Sequence, residues 1–316
     1  MQALCLDTRL QLKEVPTPVP QAGEVLIRLR LAGLCRTDLE MVRGYHPFKG
    51  VLGHEFVGQV AGPPGSPWLG RRVVGEINVG CGRCPYCRAG QTRHCPERQV
   101  LGIRSRDGAF APYLTLPEAN LHEVPLGVPD DAAVFTEPLA AALAVLAAAS
   151  ISPGRQVLVG GDGPLGLLIS WAVSLTGAQV HLAGHYPDHL ALAEPYGVIT
   201  YLEKDLPERN YEVVVEASGA PGGLDLALKR VRPGGKVVLK STFAGHYPLE
   251  TAALVVPEVS LIGCRCGPFA PALELLQSGR VDPRVLISRR FPLSQGLEAF
   301  AWAGQPGALK VLIDFS

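Results

Sequence analysis

From residue 156 onward the chain alternates short apolar runs with helical stretches: QVLVGG, PLGLLISWAVSL, AQVHLAG, PDHLALAEPYG, YEVVVEASG, GGLDLALKRV and GKVVLKS. Apolar strands alternating with helices of this length form a parallel sheet with helical crossovers, which constrains this half of the chain to an α/β architecture. Within it Gly161, Gly163 and Gly166 stand in GxGxxG register, directly after a strand and at the mouth of a helix. Such glycines serve a tight turn, close approach of backbone to a pyrophosphate, and close packing of helix on strand. The helix N-terminus adds backbone donors and a partial positive charge for phosphates. With Pro164 and Leu165 these glycines form a candidate dinucleotide site.

Which dinucleotide it takes depends on the end of the second strand. An acidic residue there accepts hydrogen bonds from the adenosine ribose and repels a 2′-phosphate. Here the strand ends at Gly184, followed by His185 and Tyr186, and no carboxylate stands at that place. Gly184 leaves room for a phosphate, His185 can donate to it and Tyr186 can stack on the adenine, so NADP(H) is favoured over NAD(H). No arginine sits beside Gly184 to clamp the phosphate.

The first part of the chain has a different texture. In EVLIRLRLAG, Val25, Ile27, Leu29 and Leu31 alternate with polar partners, the period of a half-buried strand. EFVGQVA, RRVVGEI and GAFAPYLTL follow between Gly and Pro clusters, which implies a compact antiparallel domain. At Asp130 and Asp131 an Ala-rich helical stretch begins behind acidic capping residues. After about residue 268 helices and a final strand, ALKVLIDF, are expected to pack back onto the first domain. The domain boundaries read from this pattern are 1–130 with 269–316, and 131–268.

Cys81, Cys84, Cys87 and Cys95 interrupt the first domain as a lobe over 78–97. Two Cys-x-x-Cys steps and a fourth cysteine after a small loop let one chain wrap four sulfurs around a zinc ion with no position left open. Such a site is structural. Arg83, Arg88, Arg93 and Arg98 lie close enough in sequence to offset its surplus negative charge. Disulfides are the alternative use of these thiols.

A second set of donors is scattered: Cys35 in GLCRTDLE, His54 and Glu55 in VLGHEFVG, and Glu137 in VFTEPLAAA. A catalytic zinc takes three protein ligands and keeps one place open, and a thiolate, an imidazole and a carboxylate meet that need. Glu55 and Glu137 compete for the third place. Asp38 is positioned to fix the tautomer of His54.

These segments, together with DGAFAPYL, EASG, RPGG and the terminal GALKVLI, resemble the zinc-dependent medium-chain dehydrogenase/reductase family, the group of alcohol, polyol and threonine dehydrogenases, over nearly the full length. The resemblance implies a GroES-like β-barrel catalytic domain that carries the zincs, and a Rossmann doubly wound domain, with the active site in the cleft between them. It makes Cys35 and His54 ligands of a catalytic zinc, with Glu55 and Glu137 as the carboxylates of the polyol and threonine branch. It also places Arg36 and Lys310 at the cofactor and makes Thr37 the hydroxyl that relays the substrate proton. Five residues after the ligand cysteine many relatives carry a histidine, and here Glu40 stands instead, so the relay must end differently. The implied reaction is hydride transfer between an alcohol and NAD(P), with two zinc ions per chain and assembly into a homodimer or homotetramer.

Composition narrows the alternatives. Twenty-nine Lys plus Arg balance 29 Asp plus Glu, so no global field draws in nucleic acid or an anionic membrane surface. No basic leader with an apolar run and no stretch of about 18 apolar residues is present, and the expectation is a cytoplasmic protein acting on a small-molecule alcohol or carbonyl. A zinc-free enone or quinone reductase on the same fold would need neither Cys35, His54 nor the cysteine lobe. A non-catalytic nucleotide-binding redox sensor is the rival from another class.

Overall fold

The computed structural model describes residues 1–242 and 245–315. The chain divides into two compact units, Met1–Glu137 with Phe269–Ser316, and Pro138–Pro268.

The first unit is built on a sheet in the order Leu121–Glu123, Arg72–Gly75, Glu55–Gly62, Glu24–Leu34, Lys310–Asp314 and Ile287–Pro292, with Tyr113–Pro117 also paired to Glu24–Leu34. The long strand Glu24–Leu34 organises it. Val25, Ile27, Leu29 and Leu31 are all buried and Arg28 and Arg30 between them are exposed, so the two-residue period separates core from solvent. The last strand returns antiparallel to it, pairing Val311 with Leu34 and Asp314 with Leu31. That register brings Lys310 beside the end of the long strand, where Cys35 begins.

The Ala-rich stretch is two helices, Asp130–Ala133 and Thr136–Ala149. The Thr136 hydroxyl donates to the Ala133 carbonyl at 2.7 Å where they part. Asp130 pairs with Arg30 at 2.6 Å and Arg72 at 3.3 Å, and Asp131 pairs with Arg290, which ties the first helix to strands of this unit.

The second unit holds six parallel strands in the order Ile199–Leu202, Gln179–Gly184, Gln156–Gly160, Tyr211–Glu216, Val231–Leu239 and Ser260–Gly263. Counted in chain order within the unit this is 3-2-1-4-5-6, the doubly wound arrangement. Val157, Leu158 and Val159 of its first strand are inaccessible, as a strand covered on both faces requires. The order reverses between Gln156–Gly160 and Tyr211–Glu216, and ligands of such sheets bind beyond the carboxyl ends at that point. Among the described residues no helix is long and apolar enough to cross a membrane.

Candidate functional site

The sulfurs of Cys81, Cys84, Cys87 and Cys95 all lie within 4.8 Å of one another. Tetrahedral zinc with bonds of about 2.3 Å spaces its sulfurs by about 3.8 Å, so the lobe is already gathered to that scale. Backbone amides help to gather it: the Cys81 N–H points to Cys95 Sγ and the Cys87 N–H to Cys84 Sγ, both at 3.4 Å. A Cβ built on Gly80 would sit 2.6 Å from Cys87 Sγ, so only glycine fits there. Backbone N–H groups of Arg83 and Cys84 pull the Cys81 thiol down to about 7, whereas burial, then Cys84, pushes Cys87 up to about 12. Thiols this close resist ionising together without a cation. All eight cysteines are free thiols, so the disulfide alternative is not realised. Of the expected arginines, Arg98 donates to the Cys95 carbonyl at 3.3 Å and Arg83 pairs with Glu97 at 2.6 Å.

Cys35, His54 and Glu55 form the second set, again with ligand atoms within 4.8 Å of one another. Cys35 caps the helix Arg36–Val42, and its N–H donates to Asp38 Oδ2 at 2.9 Å. Glu55 opens the strand Glu55–Gly62 opposite Gly33, where a Cβ would overlap the Glu55 side chain. His54, Glu55 and Asp38 are buried. His54 Nδ1 lies 3.2 Å from Asp38 Oδ1, out of line for a hydrogen bond, and among the described residues both atoms lack a hydrogen-bond partner. Desolvation disfavours the imidazolium, yet the Asp38 charge, with Cys35, outweighs it and holds His54 well above the ordinary imidazole value. Glu55 Oε1 is likewise buried and unpartnered. Buried polar atoms without partners are costly, so this donor set fits a cation.

Glu137, half-buried in the first turn of Thr136–Ala149, is not part of that set. Thr37 lies beside the set, with its Oγ1 3.7 Å from Cys35 Sγ. Glu40 is buried and accepts from Arg36 Nε at 3.2 Å and Arg43 Nη1 at 2.7 Å. Arg36 itself is exposed.

Lys310 sits under the same cluster. Its ammonium is buried, 2.5 Å from Glu55 Oε2 and 3.3 Å from the Leu34 carbonyl, with the Phe135 ring centroid 5.8 Å away. Burial works against the charge, and Glu55 more than restores it, so the lysine is held above its ordinary value. The family resemblance assigns this residue to the cofactor, and the structure sets its ammonium against Glu55.

In the second unit the glycine fingerprint lies at the sheet's reversal. Gly161 has φ +116°, and a Cβ on it would fall 2.7 Å from the Ala217 carbonyl. A Cβ on Gly166 would overlap the Gly161 carbonyl oxygen, so the helix beginning at Pro164 rests directly on the loop backbone. Around Gly163 there is open space, with no heavy atom of the described residues beyond its own chain neighbours within 4 Å of where a Cβ would stand, which suits a pyrophosphate against bare backbone. Leu165 follows in that helix, half-buried. Facing the loop, Glu216 accepts from the Ser218 N–H at 2.8 Å, the Ser218 hydroxyl at 2.6 Å and the Ser241 hydroxyl, which fixes the EASG turn.

The expectation that Gly184 leaves room for a phosphate is not met. A Cβ built there collides with Asp162 Cβ and Cγ and falls 2.5 Å from its Oδ2, because the Asp162 side chain occupies the space. From the sequence alone Asp162, which stands between two of the fingerprint glycines, is given no role. His185 and Tyr186 are exposed, and the Tyr186 ring lies 4.8 Å from that of His189.

Comparison with known proteins accounts for both units. The alcohol dehydrogenase GroES-like domain matches residues 21–126. Sorbitol dehydrogenase of Halalkalibacterium halodurans is 31% identical, over 95% of this chain and 94% of that protein. A protein of Sinorhizobium meliloti 1021 described as a zinc-binding dehydrogenase bound to NADP superposes with TM-score 0.89 at 27% identity, covering 99% of this chain and 98% of that one. The alcohol dehydrogenase rspB of Escherichia coli CFT073, complexed with NADH, gives TM-score 0.90 at 26% identity over 100% and 99% of the two chains. The chain therefore belongs to the zinc-dependent medium-chain dehydrogenase/reductase family, the alcohol, polyol and threonine dehydrogenases.

Proposed function

We propose that this chain oxidises a polyhydroxylated alcohol to the carbonyl, and reduces the carbonyl in reverse, with a nicotinamide dinucleotide as hydride partner. The first unit is read as the catalytic domain and the second as the dinucleotide-binding domain. The observation that carries the reading is the Cys35, His54 and Glu55 set, in which His54 and Glu55 are buried and Glu55 Oε1 has no hydrogen-bond partner among the described residues. A zinc ion held by these residues would polarise a substrate oxygen as a Lewis acid. A carboxylate in place of a second thiolate makes the donor set harder, which suits a vicinal diol better than a simple alcohol, and the similarity to a sorbitol dehydrogenase agrees.

The chain's own groups divide the remaining work. Asp38 stands behind His54, with its Oδ1 3.2 Å from Nδ1, close enough to bond the ring nitrogen once the two groups align. Lys310 holds Glu55 Oε2, so the carboxylate offers only its other oxygen to the metal. The Thr37 hydroxyl takes the substrate proton beside Cys35. Glu40 is engaged by Arg36 and Arg43, so we route the proton from Thr37 to water. Arg36 is assigned to a cofactor phosphate, and Gly161, Gly163, Pro164 and Gly166 to the pyrophosphate. Glu137 is assigned to reaching the same ion through water. The four-cysteine lobe takes the second, structural zinc.

A zinc-free reductase or an idle nucleotide sensor leaves the buried donor set without a purpose. The test is a panel of alcohols, polyols and hydroxy amino acids assayed with NAD and NADP by formation of reduced cofactor. Turnover of polyols above simple alcohols supports the reading, and no turnover with any member of the panel contradicts it.

A further inference from the structure

We propose that Asp162 makes this chain select NAD(H) over NADP(H), by filling from the fingerprint loop the place that an acidic residue at the end of the second strand would otherwise hold. The inference rests on the reading of the second unit as a nicotinamide dinucleotide site.

The strand Gln179–Gly184 ends without a carboxylate, and an open glycine there would admit a 2′-phosphate. The space is not open. Asp162 reaches across from between Gly161 and Gly163, packs where a side chain at 184 would stand, and is 6% exposed. Its Oδ2 accepts the backbone N–H of both His185, at 2.8 Å, and Tyr186, at 2.7 Å. These consecutive amides, just past the strand end, are the donors that a 2′-phosphate beside Gly184 would have to use. The chain's own carboxylate has taken them.

The charges around it point the same way. Among the described residues Asp162 makes one ion pair, with His189 Nδ1 at 3.9 Å, and the same nitrogen lies 3.1 Å from the Asp162 carbonyl oxygen. His185, the side chain best placed to meet a phosphate, has its Nε2 3.8 Å from Glu203 Oε2. A phosphate dianion would therefore enter between two carboxylates, and among the described residues no arginine or lysine is paired to Asp162. A 2′-hydroxyl meets the opposite situation. Both amide bonds fall on Oδ2, so Oδ1 keeps its acceptor capacity and can take a ribose hydroxyl, as an acid at the strand end does.

The test is calorimetric titration of the zinc-loaded protein with NADH, NADPH, 5′-AMP and adenosine 2′,5′-bisphosphate. NADH is expected to bind about tenfold or more tighter than NADPH, with the same order for the two adenosine fragments. In Asp162→Ala the amides and the space are released, and the NADH to NADPH ratio falls about tenfold or more, chiefly through tighter NADPH binding. Asp162→Asn keeps the two amide bonds through its carbonyl oxygen and loses the charge, so its ratio falls less. If the alanine variant fails to fold, the asparagine variant and the wild-type fragments still decide the matter. Tighter binding of NADPH by the wild type, or a ratio unchanged by both substitutions, overturns the role of Asp162 while leaving the dinucleotide site intact. Binding of neither dinucleotide overturns both.

Discussion

Lys310 Nζ lies 2.5 Å from Glu55 Oε2, and both side chains are almost completely buried, at 4% and 1% exposure. The pair joins the strand Lys310–Asp314 to the residue that follows His54, so the C-terminal segment takes part in building the Cys35, His54 and Glu55 set. Removing one partner of such a pair leaves a charge buried without compensation. Lys310→Met is expected to cost about 3–5 kcal/mol in urea unfolding of the metal-free protein, and adding Glu55→Gln should recover most of it.

The cysteine lobe should be separable from the chemistry. In Cys84→Ser the Cys87 amide loses its sulfur acceptor and the lobe loses one ligand. We expect zinc content to fall by one ion per chain and the thermal midpoint to drop by several degrees. Michaelis constants for the alcohol should stay unchanged in the fraction that remains folded.

The backbone contact at Gly166 gives a third expectation. A methyl group there overlaps the Gly161 carbonyl, and relief requires the helix to lift off the glycine loop that we assign to the cofactor. Gly166→Ala should destabilise the protein by about 1–3 kcal/mol and weaken NADH and NADPH binding together, measured by titration. That shared loss separates it from substitutions at Asp162, which change the ratio.

His181 sets a pH dependence. Its imidazole is buried on the strand Gln179–Gly184, 3.1 Å from the Tyr211 hydroxyl and 3.4 Å from Arg209 Nη1. Burial first, and the Arg209 charge second, hold it below the ordinary imidazole value. The folded state thus resists a proton that the unfolded chain accepts near pH ~6.5. Stability from this source is present above that pH and declines as pH falls below it. Thermal midpoints of His181→Gln should fall less steeply than those of the wild type between neutral pH and pH ~5.

Much of the fold could be read from pattern because its elements follow local rules. The alternation over Glu24–Leu34 and the strand and helix succession after residue 156 report burial directly. The four-cysteine lobe is a short-range motif, and its sulfurs come together as the spacing implies. Cys35, His54 and Glu55 were found by residue type, and they meet because Gly33 pairs with Glu55. The partners that tune the sites were not legible in this way. Lys310 reaches Glu55 through strand register across 255 positions, and Asp162 crosses to His185 and Tyr186 over 23 and 24. Neither contact has a periodicity or motif to announce it. The empty look of Gly184 in the sequence misled because the space beside a glycine can be filled from another element.

The central claim is that catalysis resides at the Cys35, His54 and Glu55 site and not at the cysteine lobe. The most direct measurement is zinc content together with polyol turnover for the wild type and Cys35→Ser. The account predicts two zinc ions per chain and turnover in the wild type. In the variant, which should keep its fold and the lobe zinc, it predicts one ion and loss of turnover by about a thousandfold or more. Unchanged turnover in Cys35→Ser, or a wild-type protein that is active with one zinc ion per chain, would contradict it.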